Sequence, residues 1–233
     1  MMKHIGTMLL AVGLVFGSAT TARAEMVILR TGNGTIGSTD SLVTMLEGPA
    51  DSGFVAAFTA ADFASAQSGP SAVVVDNHPE WIDALSGDPV AQWVSTSDSG
   101  TSEGSSALYA IDFELTELFS DATINLLYAV DNVLGDGVNQ GVFLNGVAVS
   151  GDSSGGNFSA EYNLVRSDIA PLLNVGTNTL YINATDQGGP SGLIFSATIT
   201  TTPIPEPTTT TLCVAGAFGL LCCTCRHRRV SLD

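Results

Sequence analysis

The side chains of this chain best suited to chemistry carry oxygen. "DNVLGDG" brings Asp131, Asn132 and Asp136 into one short turn, and a turn rich in side-chain and backbone oxygens suits Ca2+. The EF-hand order is not met, because Val133 and Gly135 stand where oxygens belong, so the segment reads equally as an Asx-type turn. A structural Ca2+ at these three residues is the one cofactor the sequence points to. Trp81, in the Pro-flanked "NHPEWID", offers an indole face that would stack on the C–H side of a pyranose; Trp93, in "AQWVST", reads as a core residue. Core packing is the commoner fate of either tryptophan. Carboxylates are abundant, and two of them about 5–10 Å apart would serve a polysaccharide hydrolase. Asp112 and Glu114, however, alternate with apolar residues as the wet face of a strand.

Other arrangements point away from catalysis, and no catalytic residue is assigned. "TGNGTIG" contains GxGxxG at Gly32, Gly34 and Gly37 after "MVILR", but a dinucleotide site needs a helix next. The following "SLVTMLEGP" is short and stopped by Pro49, so the glycines read as a loop. His78 is the only histidine between residues 25 and 200, and Asp76 is too near in sequence to orient it as a general base. Neither GxSxG nor HExxH occurs.

The elements that must position these residues read as strands. In "ALYAIDFELTEL", Tyr109, Ile111, Phe113 and Leu115 alternate with Ala110, Asp112, Glu114 and Thr116, the period of two of a half-buried strand. "ATINLLYAV" places Ile124, Leu126, Tyr128 and Val130 on one side, and Asn145-Gly146 within "GVFLNGVAV" signals a tight hairpin. "NTLYINAT" and "GLIFSATIT" follow as strands around the Gly-rich "DQGGPS". "SDIAPLLNVG" predicts one helical turn with Ser167 as cap and Gly176 as stop. "MVILR", "SAVVV" and "AQWVST" read as short strands, and "SDSGTSEGSS" as a flexible loop. Many short strands without long amphipathic helices predict an all-β sandwich, and no repeat period supports a solenoid or propeller.

The two ends differ from the middle. Lys3, the apolar stretch from Ile5 to Phe16 and the small residues Ala22 and Ala24 around Arg23 read as a signal peptide (residues 1–24) cleaved before Glu25. Residues 25–200, the exported domain, then carry 21 acidic residues against Arg30 and Arg166, a formal charge of −19. That field repels phosphate backbones, so nucleic acid is excluded as a partner, and it attracts divalent cations. Cys213, Cys222, Cys223 and Cys225 all lie in the C-terminal apolar run, where they read as small membrane residues, so the exported domain relies on its core and not on disulfides. A Pro/Thr-rich linker (201–211) precedes a transmembrane segment (212–225) and a basic cytoplasmic tail (226–233). The uncharged stretch from Thr208 to Cys225 has 18 residues, about 27 Å as a helix, and arginines directly after it favour the cytoplasmic side.

Two families are similar to parts of this chain. "AQWVST", "YAVDNVLGDGVNQGVFLNGVAVSG" and "DIAPLLNVGTNTLYINATDQGGPSGLIFSATI" resemble the galactose-binding-domain-like jelly roll, a β-sandwich of exported proteins and glycosidase accessory domains. That resemblance implies the fold and an association with carbohydrate such as exopolysaccharide or biofilm matrix, without fixing an activity. Pro205-Glu206-Pro207, the apolar run and Arg226, Arg228 and Arg229 resemble the PEP-CTERM sorting signal, from which His227 and the trailing "VSLD" depart. That resemblance implies processing by an exosortase-type membrane enzyme and delivery to the cell surface or extracellular matrix after a transient membrane stage. The expectation is a non-enzymatic, carbohydrate-associated sandwich; a hydrolase with paired carboxylates, or a purely structural surface protein, stands as the alternative.

Overall fold

The computed structural model describes residues 23–150 and 155–204, which take in Arg23 and Ala24 of the signal peptide's cleavage site. Ala22, the Pro-Glu-Pro motif, the apolar run and the basic tail lie outside the described residues. Among the described residues, no helix is long and apolar enough to cross a membrane.

Among the described residues, twelve strands form one continuous antiparallel sheet: β1 (Met26–Arg30), β2 (Thr39–Glu47), β3 (Ser71–Val74), β4 (Val94–Ser95), β5 (Ala107–Leu115), β6 (Phe119–Asp131), β7 (Val133–Leu134), β8 (Val142–Leu144), β9 (Val147–Ala148), β10 (Tyr162–Arg166), β11 (Gly176–Thr185) and β12 (Gly192–Pro203). The spatial order β10-β6-β12-β4-β3-β2-β5-β11-β8-β9 folds over at the short β4–β3 link, with β1 beside β12 and β7 beside β11. One hydrogen-bonded sheet thus supplies both layers of a sandwich.

Period-two alternation explains the core. Ile124, Leu126, Tyr128 and Val130 of β6 and Leu193, Phe195, Ala197 and Ile199 of β12 face Tyr109, Ile111 and Phe113 of β5 and Leu180 and Ile182 of β11 in a single buried cluster. Each such aliphatic or aromatic side chain contributes about 1.5–3 kcal/mol when fully buried. The β8–β9 hairpin turns at Asn145 (φ 52°) and Gly146 (φ 80°), the two positive φ values a type I′ turn requires.

Three local features add to this frame. A helix, α1 (Ala60–Gln67), starts at a capping box in which Thr59 and Asp62 exchange side-chain and backbone hydrogen bonds, which hold the Asp62 carboxyl below its usual range. Eight residues are too few for a helix to persist alone, and Phe63 and Ala66 anchor it against Leu108, Ala110, Phe143 and Tyr181. The N-terminal half of β5 is therefore buried on both faces, and only Asp112 and Glu114 keep the wet face. The turn near residue 170 is a 3-10 helix, Ala170–Leu172, capped by Ile169 and not by Ser167, because Pro171 sits inside its first turn. Last, "TGNGTIG" is an ordered loop wrapped on the fully buried Asp40. Its carboxylate accepts from the backbone N–H groups of Gly32 (2.7 Å), Asn33 (3.0 Å), Leu42 (2.9 Å) and Val43 (3.1 Å). Strand β2 follows the loop, so the amides a phosphate would need are already occupied and no helix stands behind them.

Candidate functional site

The loops after β2 and β4 and before β12 enclose an open cleft of about 610 Å³. Glu47, Ala50 and Asp51 form one wall, Thr96, Ser97, Ser99 and the segment Ser102–Ser105 the other, and Gly189 closes one end. The serine-rich wall is built from tight turns, with Ser102 and Glu103 both donating to the Ser99 carbonyl at 2.9 Å. It is pinned to the strand side by Ser191, whose N–H reaches the Gly100 carbonyl (2.8 Å) and whose hydroxyl reaches the Ser105 carbonyl (2.9 Å). A Cβ on Gly100 or Gly104 would overlap Ser95 or Ser191, so glycine is what lets this wall lie flat. The opposite wall is fixed by Asp186, buried at 1% exposure, which accepts from the Asp51 N–H at 2.8 Å, and by the Ser106 hydroxyl, which donates to the Ser52 carbonyl at 2.7 Å.

Chemically, the cleft offers hydroxyls and carboxylates and no cationic side chain. Glu47 already accepts from the Ser105 hydroxyl at 3.0 Å, which ties the two walls together. Such a lining suits a neutral polyhydroxyl ligand, which both donates to carboxylates and accepts from hydroxyls; a phosphate or sulfate finds no counter-charge there.

The residues singled out by type are placed elsewhere. Trp81 is 5% exposed. Its indole lies on Trp93 with ring centroids 4.2 Å apart, packs over Gly192 of β12, and donates from Nε1 to Asp131 Oδ2 at 2.7 Å. A sugar has no free face of this indole to stack on, so Trp81 joins Trp93, Leu85, Ala129 and Ile194 in a second core. The Pro-flanked segment folds back over Trp93, so Trp81 meets the commoner fate of a tryptophan and not the stacking role.

Asp131, Asn132 and Asp136 do not aim their oxygens at a common point. Asp136 accepts through Oδ1 from the Val138 and Asn139 N–H groups and through Oδ2 from the Asn139 and Asn183 carboxamides, an Asx-type network that occupies both oxygens. Asn132 Oδ1 accepts from the Gln187 N–H at 2.6 Å. Asp131 Oδ1 is buried without a hydrogen-bond partner among the described residues. Burial pushes the Asp131 carboxyl up to about 6; the Trp81 N–H opposes the rise, and Asp186 and Glu80 add to it. No group of three or more His, Cys, Asp or Glu suited to a metal ion occurs among the described residues. His78 is half-buried, its ring 5.8 Å from that of Trp81.

Sequence reasoning therefore missed the cleft. Its wall is the "SDSGTSEGSS" segment, and the readable signal was a run of small hydroxyl-bearing residues broken by glycine.

The architecture defines the class as an antiparallel β-sandwich with a polar cleft built on its loops. No protein-family model and no curated relative matches the sequence. Among solved structures the chain is similar to a CBM35 from Paenibacillus barcinonensis, with 15% identity over 76% of this chain and 99% of that chain and a TM-score of 0.36. It is also similar to the CBM35 of Cellvibrio japonicus Abf62, with 9% identity over 76% and 98% of the two chains and a TM-score of 0.33. Likenesses this loose carry no argument about ligand or activity, and the fold rests on the strand pairing itself.

Proposed function

We propose that this chain is an exported, non-enzymatic β-sandwich delivered to the cell surface or extracellular matrix, where its polar cleft holds neutral polysaccharide. The observation that carries the binding reading is the cleft: about 610 Å³ of space lined by serine hydroxyls and the carboxylates of Glu47, Asp51 and Glu103, without a cation. The acidic surface makes a neutral chain the better ligand, because a uronate-rich polymer would be repelled unless Ca2+ bridged it. Co-sedimentation of the full chain with insoluble glucan, mannan and uronate-rich polymer, each with Ca2+ and with chelator, tests this. Retention on a neutral polymer that survives chelation is expected, and absence of retention on every polymer contradicts the binding reading.

The same three carboxylates favour one other reading, hydrolysis of the bound polysaccharide. Binding is the better supported of the two. Asp131, the carboxyl that burial raises toward neutral pH as a general acid needs, belongs to the tryptophan core and not to the cleft lining. Release of reducing ends that is lost in Glu103→Gln would reverse this preference.

Delivery is proposed from the resemblance of Pro205-Glu206-Pro207, the apolar run and Arg226, Arg228 and Arg229 to a sorting signal read by an exosortase-type enzyme. Replacing the three arginines by alanine removes the charges that hold the tail on the cytoplasmic side. Cell fractionation is expected to find this variant retained in the membrane or misoriented; unchanged surface release contradicts the sorting reading.

A further inference from the structure

We propose a second binding site, for one or two rings of a neutral polysaccharide, in the groove between α1 and the Asn145-Gly146 turn. The groove rests on the polysaccharide reading above for its ligand class, but it is separate from the cleft: the two share no lining residue. It encloses about 490 Å³, within the usual range for small-molecule sites.

One side of the groove is aromatic. Phe58 and Phe63 meet edge to face with centroids 5.8 Å apart, and Phe63 meets Tyr181 at 4.9 Å, so the rings are fixed by one another before any ligand arrives. Phe63 is held from below by its place in the α1 contact with β5 and β11, while Phe58 is half-exposed at the rim.

The other side is a set of oriented amides. Gln67 Nε2 donates to Asp112 Oδ1 (2.9 Å) and to Thr179 Oγ1 (3.2 Å), and its carbonyl oxygen accepts from no donor among the described residues. Asn145 Nδ2 donates to the Leu172 carbonyl and to Asn178 Oδ1, both at 2.8 Å, and its Oδ1 accepts from the Thr179 N–H at 2.9 Å with a lone pair to spare. The Asn174 backbone is fixed by Asn178 on two sides, yet its exposed carboxamide has no partner among the described residues.

These features select the ligand. An apolar wall facing donors and acceptors matches a pyranose, which has a C–H face and a hydroxyl rim. No lysine or arginine lines the groove, so an anionic ligand finds no counter-charge, and the one carboxylate at its edge, Asp112, is engaged by Gln67 and Thr179. An amphipathic peptide helix would need an apolar groove on both sides, and here one side is carboxamide. With a cleft at the loops and a groove beside α1, one molecule would hold two segments of polysaccharide and so cross-link a matrix, with the gain in avidity that two linked sites bring.

Solution NMR of the full chain in a zwitterionic detergent tests the site, with cellohexaose, laminarihexaose and mannohexaose as separate probes. The side-chain amide signals of Asn145 and Asn174 are expected to shift with at least one of them. In a Ser102→Trp background, whose bulky side chain fills the cleft, Asn174→Ala is expected to bind that probe about three- to tenfold more weakly, at unchanged melting temperature. Phe58→Ala in the same background is expected to weaken binding as well, with a lower melting temperature because the ring also packs on Phe54, Phe63 and Phe143. If Ser102→Trp alone abolishes all binding, or if the Asn174 signal stays still with every probe, the groove is overturned whatever the cleft does. If Ser102→Trp binds as well as the unaltered chain and Asn174→Ala does not, the groove stands and the cleft reading falls.

Discussion

Replacing Trp81 by alanine is expected to lower the unfolding free energy by about 3–5 kcal/mol, the loss typical of a large buried aromatic. The side chain is 5% exposed, covers Trp93 and Gly192, and carries the N–H that meets Asp131. Trp81→Phe separates the two contributions. It keeps most of the packing and deletes the Nε1–H, leaving Asp131 buried with neither oxygen hydrogen-bonded, at a cost of about 1–3 kcal/mol while the carboxyl is ionised. The pH dependence has a definite sign. Asp131 holds its proton up to about pH 6 in the folded chain but only to its ordinary 3.8 when unfolded. Below about pH 4 both states are protonated; between about 4 and 6 only the folded state keeps the proton, so stability falls as pH rises and levels off above that window. The fall is about 1–3 kcal/mol, since solvent screens part of the interaction, and is read as the difference between the unaltered chain and Asp131→Asn, which cancels the other carboxylates. Because the Trp81 N–H favours the ionised form, Trp81→Phe should move the end of the fall to higher pH. Urea denaturation across pH 4–8 measures all of this. A Trp81→Ala protein of unchanged stability would mean that the indole lies free on the surface, as a sugar-stacking residue requires.

Asp40→Ala is expected to cost about 3–5 kcal/mol, a loss of comparable size from a different cause. The carboxylate is fully buried and satisfies four backbone N–H groups of the Gly32–Val43 segment, that of Val43 buried and the other three part-buried, so its removal takes the common acceptor from all four at once. Asp40→Asn preserves one acceptor oxygen and should fall between the two. A loss under about 1 kcal/mol in Asp40→Ala would show that the loop re-pairs its amides elsewhere, and a glycine-rich loop free to do so would again be open to an anion.

The strand content was legible because alternation reports which face of a strand is buried. Tyr109-Ile111-Phe113 and Ile124-Leu126-Tyr128-Val130 declare their inward faces, and Asn145-Gly146 declares a turn that only positive φ values can make. The covers were not legible. Leu108 and Ala110 occupy the wet side of β5 and are buried by α1, which lies more than 40 residues earlier and whose one local sign was the Thr59–Asp62 capping box. The cover of Trp81 gave no local sign because its neighbours are polar, Pro79 breaks any regular element and its partner Asp131 is 50 residues away. The candidate site suffered most from this. Asp131, Asn132 and Asp136 are adjacent in sequence but are claimed by Trp81, Gln187 and Asn139 in different directions. The cleft, in contrast, gathers Glu47 from the end of β2 and Ser99 and Gly189 from two distant loops, and no local pattern joins them.

Calorimetric titration of the full chain, in a zwitterionic detergent, with the three neutral hexasaccharides tests the central claim most directly. At least one of them is expected to bind, with Ser102→Trp removing one class of sites or weakening it tenfold or more, about 1.4 kcal/mol, at unchanged melting temperature. An isotherm identical in the unaltered chain and in Ser102→Trp, or no binding of any neutral glycan by either, would contradict the assignment of polysaccharide binding to the polar cleft.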